Sequence, residues 1–228
     1  MSSLAQAAPA PTAVAALRQQ FRDGKAALLD RFAAGPATAA AATRLLRALA
    51  QLVDTTFCEL WRHAGMPADA ALAAVGGYGR GELFPSSDVD VLILLPDGSD
   101  EAHHGPAIER FITTCWDIGL EIGSSVRSVA ECVAEAERDV TVQTALLESR
   151  PVCGDGRLFK RFRRATDAAM DPKAFLRAKT LEMRQRHVKY EGTPYALEPN
   201  CKESPGGLRD LQVVIWVARA AGLGRTWR

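Results

Sequence analysis

The chain has 228 residues, of which 47% are hydrophobic and 24% charged, and its formal net charge at pH 7 is +1. These proportions are those of a globular protein with one sizeable core. A charge so close to neutral gives no support for nucleic acid or a membrane surface as a partner. No apolar run approaches the roughly 18 residues that a membrane-spanning helix needs.

Neither the cysteines nor the histidines form a metal-binding pattern along the sequence. The five cysteines are widely scattered, and no pair has C-x-x-C spacing. We therefore expect reduced thiols and a cytoplasmic location. His103 and His104 are adjacent in a polar stretch, so we expect a solvated turn there rather than a zinc site.

The first part of the chain is predicted to be a leader followed by two helices. Residues 1–12 are rich in alanine and proline and contain no basic stretch, so we expect a disordered leader rather than a targeting signal. Residues 13–66 have apolar side chains at helical spacing on both sides of Gly35-Pro36. These residues are expected to form two helices, the second one capped by Thr38.

Residues 67–138 are predicted to hold a small mixed sheet covered by helices. A short apolar run ends at Val75, residues 88–95 alternate before they become wholly apolar, and residues 120–127 alternate again. These are the patterns of three strands. A loop over residues 96–105, rich in glycine, proline, aspartate and histidine, is expected to follow the second strand.

Residues 139–228 have a helical pattern almost throughout and are predicted to be a helical domain. The pattern is broken over residues 151–156 and 192–207, and a last helix is expected over residues 208–221. The order of helices, sheet and helical domain predicts the α+β class. This class hosts many chemistries, so it does not by itself indicate a function.

The most specific feature of the sequence is a pair of aspartates at the start of an apolar strand. Asp88 and Asp90 stand two residues apart, so their side chains point to the same face. At a separation of about 7 Å and an effective dielectric of about 20, their charges repel by roughly 2 kcal/mol. This repulsion is acceptable if both carboxylates lie in water at the start of a strand. It is also acceptable if Mg²⁺ lies between them, since this ion binds one or two carboxylates together with substrate phosphates.

A glycine pair precedes these aspartates. Ten residues separate Gly76-Gly77 from the aspartate pair. Glycine lets backbone N–H groups approach a phosphate closely, and a short helix over residues 79–83 would add its positive dipole end. Arg80 is then a candidate phosphate-facing cation, and Ser87, directly before the aspartates, is a further candidate nucleotide contact. A plain glycine-rich turn is the alternative, but the combination with D-x-D is much rarer than either motif alone.

The sequence has a strand that ends in Gly-Gly, then ten residues, and then D-x-D on another strand. This arrangement resembles the nucleotidyltransferase superfamily that includes DNA polymerase β. The matching residues are Gly76, Gly77, Asp88 and Asp90. The resemblance implies that the carboxylates hold two Mg²⁺ ions, one at the attacking hydroxyl and one at the triphosphate. It also implies in-line attack on the α-phosphorus with release of pyrophosphate.

The same superfamily has a third carboxylate on a later strand. Glu121 is our candidate, because alternation places it on one face with Gly123 and Ser125. It would complete the catalytic and metal-binding set. Asp117 is the alternative, although it lies where the helical pattern is ending, and a solvent-facing Glu121 is the third possibility.

Three separated stretches within residues 70–220 are similar to the PII uridylyltransferase family, whose members modify nitrogen-signalling PII proteins. They read GGYGRGELFPSSDVDVLIL, WDIGLEIGSSVR and KESPGGLRD. In the last stretch, a Pro-Gly-Gly turn precedes a helix start, which makes Lys202 and Arg209 candidate phosphate or base contacts. A helix start with balancing charges is an equally good interpretation.

This resemblance implies an enzyme that moves UMP from UTP onto a tyrosine of a PII protein. The uridylyl-removing half of such enzymes resembles a metal phosphohydrolase built around a His-Asp pair, and no His-Asp dipeptide occurs here. We therefore expect the chain to be a truncated, N-terminal part of such an enzyme. The alternatives are a related adenylyltransferase and a nucleotide-binding regulatory module that has lost catalysis. A helical interaction scaffold has no need for the two motifs.

Overall fold

The computed structural model describes residues 13–193, Tyr195, Glu198 and residues 200–224. The predicted leader, residues 1–12, lies outside the described residues. None of the described helices is long and apolar enough to cross a membrane.

Two N-terminal helices form where the apolar spacing predicted them. They are α1 (Ala13–Ala33) and α2 (Ala39–His63). The Thr38 hydroxyl accepts a hydrogen bond from the Ala41 N–H, so the predicted cap of α2 is confirmed. The apolar side of α2 packs on α1 and on the central sheet.

A four-stranded mixed sheet lies at the centre, in the order β3-β2-β1-β4. Its strands are β1 (Ala71–Ala74), β2 (Val89–Leu95), β3 (Ile122–Ser128) and β4 (Arg150–Gly154). Strand β1 is antiparallel to both of its neighbours. Strands β2 and β3 are parallel and are joined by α4 (Glu101–Ile118), the crossover that parallel neighbours require. The predicted fold class, a small mixed sheet between helical segments, is confirmed.

Helices cover both faces of this sheet. One face packs on α1, α2 and α4 through Leu72, Ala74, Val91 and Ile93. The other packs through Ala71, Ala73, Leu92 and Leu94 on α5 (Val129–Arg138), α6 (Val140–Leu147) and α7 (Gly156–Ala169). A third cluster of Leu147, Phe175 and Trp216 attaches α8 (Pro172–Lys189) and α9 (Leu208–Ala220) to α6.

Strand β4 was not predicted, and it lies within the range 139–228 that was predicted to be helical. Its sequence RPVCG has no alternation, and Pro151 cannot donate to a ladder of hydrogen bonds. Such a residue is tolerated because β4 is an edge strand, where the register to β1 also shifts between Leu72 and Ala73. The domain boundaries proposed above remain a prediction.

Two helices begin at other residues than predicted. The short helix α3 spans Gly76–Gly79 rather than residues 79–83. Helix α4 begins at Glu101, inside the range 96–105 that was expected to be a loop. Its start is stabilised by the Asp100 carboxylate, which accepts a hydrogen bond from the Ala102 N–H, and this cap outweighs a proline in the second turn.

Candidate active site

The two aspartates lie at the edge of the sheet where β2 begins. Asp88 directly precedes β2 and Asp90 is its second residue. Val89 between them is 3% exposed and points into the core, so both carboxylates lie on the other side, where they line one cleft. Burial, and after it the charge of Asp88, raises the pKa of Asp90 above the usual range of an aspartate. Such a pair favours a bound cation.

Two glycines make room for the Asp90 carboxylate. Asp90 pairs with Gly123 across the parallel strands. A Cβ atom at Gly123 would lie 2.6 Å from Asp90 Oδ1, and one at Gly76 would lie 3.5 Å from Asp90 Oδ2. The carboxylate therefore occupies a notch between two positions without side chains, and a larger residue at Gly123 would displace it.

The turn after β1 brings backbone N–H groups to the same place. Val75 N donates to the Asp90 carbonyl at 3.1 Å, which sets the end of β1 beside the aspartates. Gly76 has a φ of +56°, a left-handed conformation that favours glycine. Helix α3 then starts, and its N-cap residue Val75 offers no side-chain hydrogen bond to the first N–H groups. Gly76 and Gly77 themselves line the cleft.

Arg80 lines the cleft but is held by a buried glutamate. Its Nη1 lies 2.6 Å from Oε2 of Glu148, which is 1% exposed. Burial raises the pKa of Glu148, whereas Arg80 and a hydrogen bond from the Trp216 indole oppose that rise. Glu148 thus connects the glycine turn, the end of α6 and helix α9.

Cationic and aromatic side chains of α8 and α9 form the opposite wall. Lys179 is 2% exposed, pairs with Glu182 at 2.6 Å, and lies 4.6 Å from the centre of the Trp216 ring. Arg209 lies 5.5 Å from the same ring and pairs with Glu203 at 3.0 Å. These pairs keep the cations at the cleft without leaving buried charge unpaired.

A cleft of about 830 Å³ lies between the end of the sheet where β2 begins and the helices α8 and α9. Eight of the nine residues singled out from the sequence line it: Gly76, Gly77, Arg80, Ser87, Asp88, Asp90, Lys202 and Arg209. Lys202 is exposed and forms no salt bridge with a described residue, in contrast to Arg80 and Arg209. The cleft therefore combines two carboxylates on the sheet with an exposed lysine on the facing loop, whose charge acts on Glu203 among the described residues.

Glu121, the ninth residue, lines a neighbouring cavity instead. It directly precedes β3, its carbonyl accepts from Val89 N at 2.9 Å, and its side chain is exposed. Ser87 lines both cavities, so the two adjoin. The alternative, Asp117, is exposed in the last turn of α4 and lines neither cavity. The role of Glu121 as third carboxylate remains a prediction.

Sequence reasoning missed a network that supports the glycine turn. The Tyr78 hydroxyl donates to Asp54, whose two carboxylate oxygens also accept from Arg150 at 2.8 Å each. Burial, and after it the charge of Asp54, raises the pKa of Tyr78. Asp54 lies in α2, Tyr78 in α3 and Arg150 in β4, so no local pattern could have indicated that they meet.

Comparisons with known proteins agree with the motifs. A family model for a nucleotidyltransferase domain matches residues 53–153, and one for GlnD PII-uridylyltransferase matches residues 174–228. A crystal structure of a toxin-antitoxin with AMP-PNP aligns over 61% of this chain and 96% of its own, with 14% identity and a TM-score of 0.35. That likeness is too low to support a conclusion.

Curated relatives extend the match to almost the whole chain. The bifunctional uridylyltransferase/uridylyl-removing enzyme of Burkholderia vietnamiensis is 56% identical over 98% of this chain and 26% of its own length. The enzyme of the same name from Cupriavidus pinatubonensis is 57% identical over 94% of this chain and 24% of its own length. The chain thus spans about a quarter of the length of these relatives. With a nucleotidyltransferase domain, and with motifs that resemble PII uridylyltransferases at three places, the chain belongs to the family of bifunctional uridylyltransferase/uridylyl-removing enzymes.

Proposed function

We propose that this chain transfers UMP from UTP to a tyrosine hydroxyl of a PII nitrogen-signalling protein in the cytoplasm and releases pyrophosphate. The observation that carries the proposal is the cleft in which Asp88 and Asp90 lie beside the Gly76-Gly77 turn. The PII substrate and the choice of UTP rest on the names of the relatives and on the KESPGGLRD stretch.

The donor set of the cleft fits Mg²⁺. Asp88 and Asp90 are both exposed to the cleft and offer hard carboxylate oxygens. A cation between them would offset their mutual repulsion and the desolvation that raises the pKa of Asp90. When bound, two Mg²⁺ ions would supply activation of the attacking hydroxyl and neutralisation of charge on the phosphates.

The remaining cleft residues suit a triphosphate. The first N–H groups of α3 have no side-chain cap, and Ser87 lies next to the carboxylates. Lys202 offers a cation from the opposite wall, whereas Arg80 and Arg209 are partly neutralised by their glutamate partners. We therefore assign the most direct phosphate contact to Lys202 and a positioning role to the two arginines.

In the proposed reaction the tyrosine oxygen attacks the α-phosphorus of UTP. A new O–P bond forms while the bond from the α-phosphorus to the bridging oxygen breaks, and pyrophosphate leaves with that electron pair. The tyrosine proton passes to water. Residues of the cleft would contribute by holding the phosphates in line with the incoming hydroxyl, and Asp88 and Asp90 would hold the cations.

A transfer assay tests this proposal. The chain is incubated with a bacterial PII protein, Mg²⁺ and α-labelled UTP, ATP or CTP in separate reactions, and label on the PII protein is counted. We expect label from UTP only, and none with Asp88→Asn. Preference for ATP would instead support the adenylyltransferase alternative, and binding of Mg²⁺-UTP without transfer would support a regulatory nucleotide-binding module.

The same assay tests whether Glu121 is the third metal-binding carboxylate. Glu121→Gln nearly preserves shape and removes one charge, as Asp88→Asn does. If Glu121 holds metal, both variants should lose transfer by similar factors. Parent-like transfer by Glu121→Gln would show that Glu121 is not a ligand while leaving the proposed reaction intact.

A further inference from the structure

Three side chains of metal-ligand type meet at the end of β1 that is remote from α3. Asp69 lies just before β1, and His103 and His104 lie in the first turn of α4; one ligand atom of each lies within 4.8 Å of the other two. The histidine pair was predicted to be a solvated turn, and for His104, which is 3% exposed, that prediction is wrong. A buried histidine directed at a carboxylate needs another explanation.

Hydrogen bonding orients His104 as a ligand. Its Nδ1 lies 3.0 Å from the Asp100 carbonyl oxygen, which can only accept, so Nδ1 carries the hydrogen. In the neutral ring Nε2 then has a lone pair, and it lies 3.2 Å from Asp69 Oδ1. The lone pairs of His104 Nε2 and Asp69 Oδ1 repel each other at this distance unless a proton or a metal ion lies between them. An Nδ1–H bonded to a backbone carbonyl is the usual support of a histidine that binds metal through Nε2.

The distances suit a small tetrahedral ion. Ligand atoms at 2.0–2.1 Å from Zn²⁺ in tetrahedral geometry lie about 3.3 Å apart, close to the 3.2 Å between Asp69 and His104. His103 is exposed and can rotate to complete the set. A surface cleft of about 470 Å³, lined by Asp69 and His103, gives water access to a fourth position. Arg110 lines this cleft too, but its guanidinium donates to the Ala64 carbonyl at 3.0 Å.

We propose that Asp69, His103 and His104 form a Zn²⁺-binding site. Two imidazoles and one carboxylate are a donor set that zinc prefers over magnesium. The site differs from the Asp88–Asp90 pair, which offers oxygen alone and lies beyond the other end of β1. A bound ion would join the segment before β1, a central strand of the sheet, to the start of α4. The proposed zinc site does not depend on the proposed nucleotidyl transfer.

Metal titration tests the site. The chain is prepared without a histidine tag, stripped of metal, and titrated with Zn²⁺ by calorimetry and with Co²⁺ by visible absorption, in excess Mg²⁺ to occupy the carboxylate pair. We expect one equivalent of Zn²⁺, an intense tetrahedral Co²⁺ band, and a higher melting temperature with Zn²⁺. His103→Ala, an exposed change with little risk to the fold, should weaken Zn²⁺ binding by at least about tenfold and remove the Co²⁺ band.

Control variants separate this site from other zinc ligands. Asp69→Asn should weaken binding as His103→Ala does, whereas His63→Ala and Cys201→Ser, which change other exposed side chains, should bind as the parent does. The double variant Asp88→Asn/Asp90→Asn should also retain the Co²⁺ band. The proposal is overturned if the parent takes up no Zn²⁺, if His103→Ala and Asp69→Asn bind normally, or if binding follows Cys201 or the aspartate pair.

Discussion

Gly123 lies opposite Asp90 in the parallel ladder, and the space left by its missing side chain holds the Asp90 carboxylate. A Cβ atom at Gly123 would lie 2.6 Å from Asp90 Oδ1, while ordinary contacts of such atoms begin at 3.4 Å. Gly123→Ala should therefore push the carboxylate away by about 0.8 Å, the difference between these distances.

This displacement should affect catalysis far more than folding. The crowded atom is the end of a flexible side chain, so we expect the free energy of unfolding to change by no more than about 0.5 kcal/mol. A metal site has to be held within about 0.5 Å, and a shift near 1 Å costs about 10²-fold in rate. We expect kcat for UMP transfer to fall about 100-fold, equivalent to about 2.7 kcal/mol of transition-state stabilisation. Initial rates with labelled UTP and urea unfolding measure the two effects.

Gly156→Ala is the matched control for this change. Gly156 is the first residue of α7, and a Cβ atom there would meet no atom within 4 Å. This variant should transfer UMP at the parent rate. If Gly123→Ala also keeps the parent rate while folded, the position of Asp90 does not limit the reaction and the reasoning fails. If Gly123→Ala unfolds, the space beside Asp90 is needed by the fold instead.

Two further substitutions test the site and its support. Because the fold raises the pKa of Asp90, its ionised form opposes folding once pH exceeds the range in which unfolded aspartate titrates. Asp90→Asn should therefore abolish transfer but melt at or above the parent temperature, with the difference growing as pH rises from the range in which unfolded aspartate titrates to the raised pKa of folded Asp90; an earlier melt at neutral pH would contradict this. Tyr78→Phe removes the hydroxyl that donates to Asp54 and should lower the free energy of unfolding by about 1–3 kcal/mol in urea. An unchanged midpoint would show that the bond contributes nothing.

Several features of the fold follow from neighbours in the sequence. The start of α2 at Thr38, the strand that carries Asp90, and the placement of both aspartates on one side were all predicted from caps and side-chain periodicity. Such features depend on backbone geometry over a few residues, so the sequence around them is sufficient. The family resemblance has the same origin, since its motifs are short stretches whose spacing is visible along the chain.

Features that depend on pairing between distant segments were missed. The edge strand β4 has no alternation of its own and exists because β1 offers it a partner. Helix α4 extends back over His103 and His104 because Asp100 caps it, and their approach to Asp69 depends on how α4 packs beside β1. Sequence periodicity contains no information on such packing. A solvated turn was therefore expected where these three side chains of metal-ligand type meet.

The sequence by itself predicted that two carboxylates and a glycine turn belong to one kind of chemistry, and it left open whether the basic Pro-Gly-Gly segment takes part in it. Only the tertiary structure decided what surrounds them: Gly123 rather than a carboxylate faces Asp90, Glu148 holds Arg80, and Lys202 lies across the cleft. The physical reason is that strand register and helix packing minimise the free energy of the whole core. They bring together residues whose separation along the chain does not reveal which of them will meet.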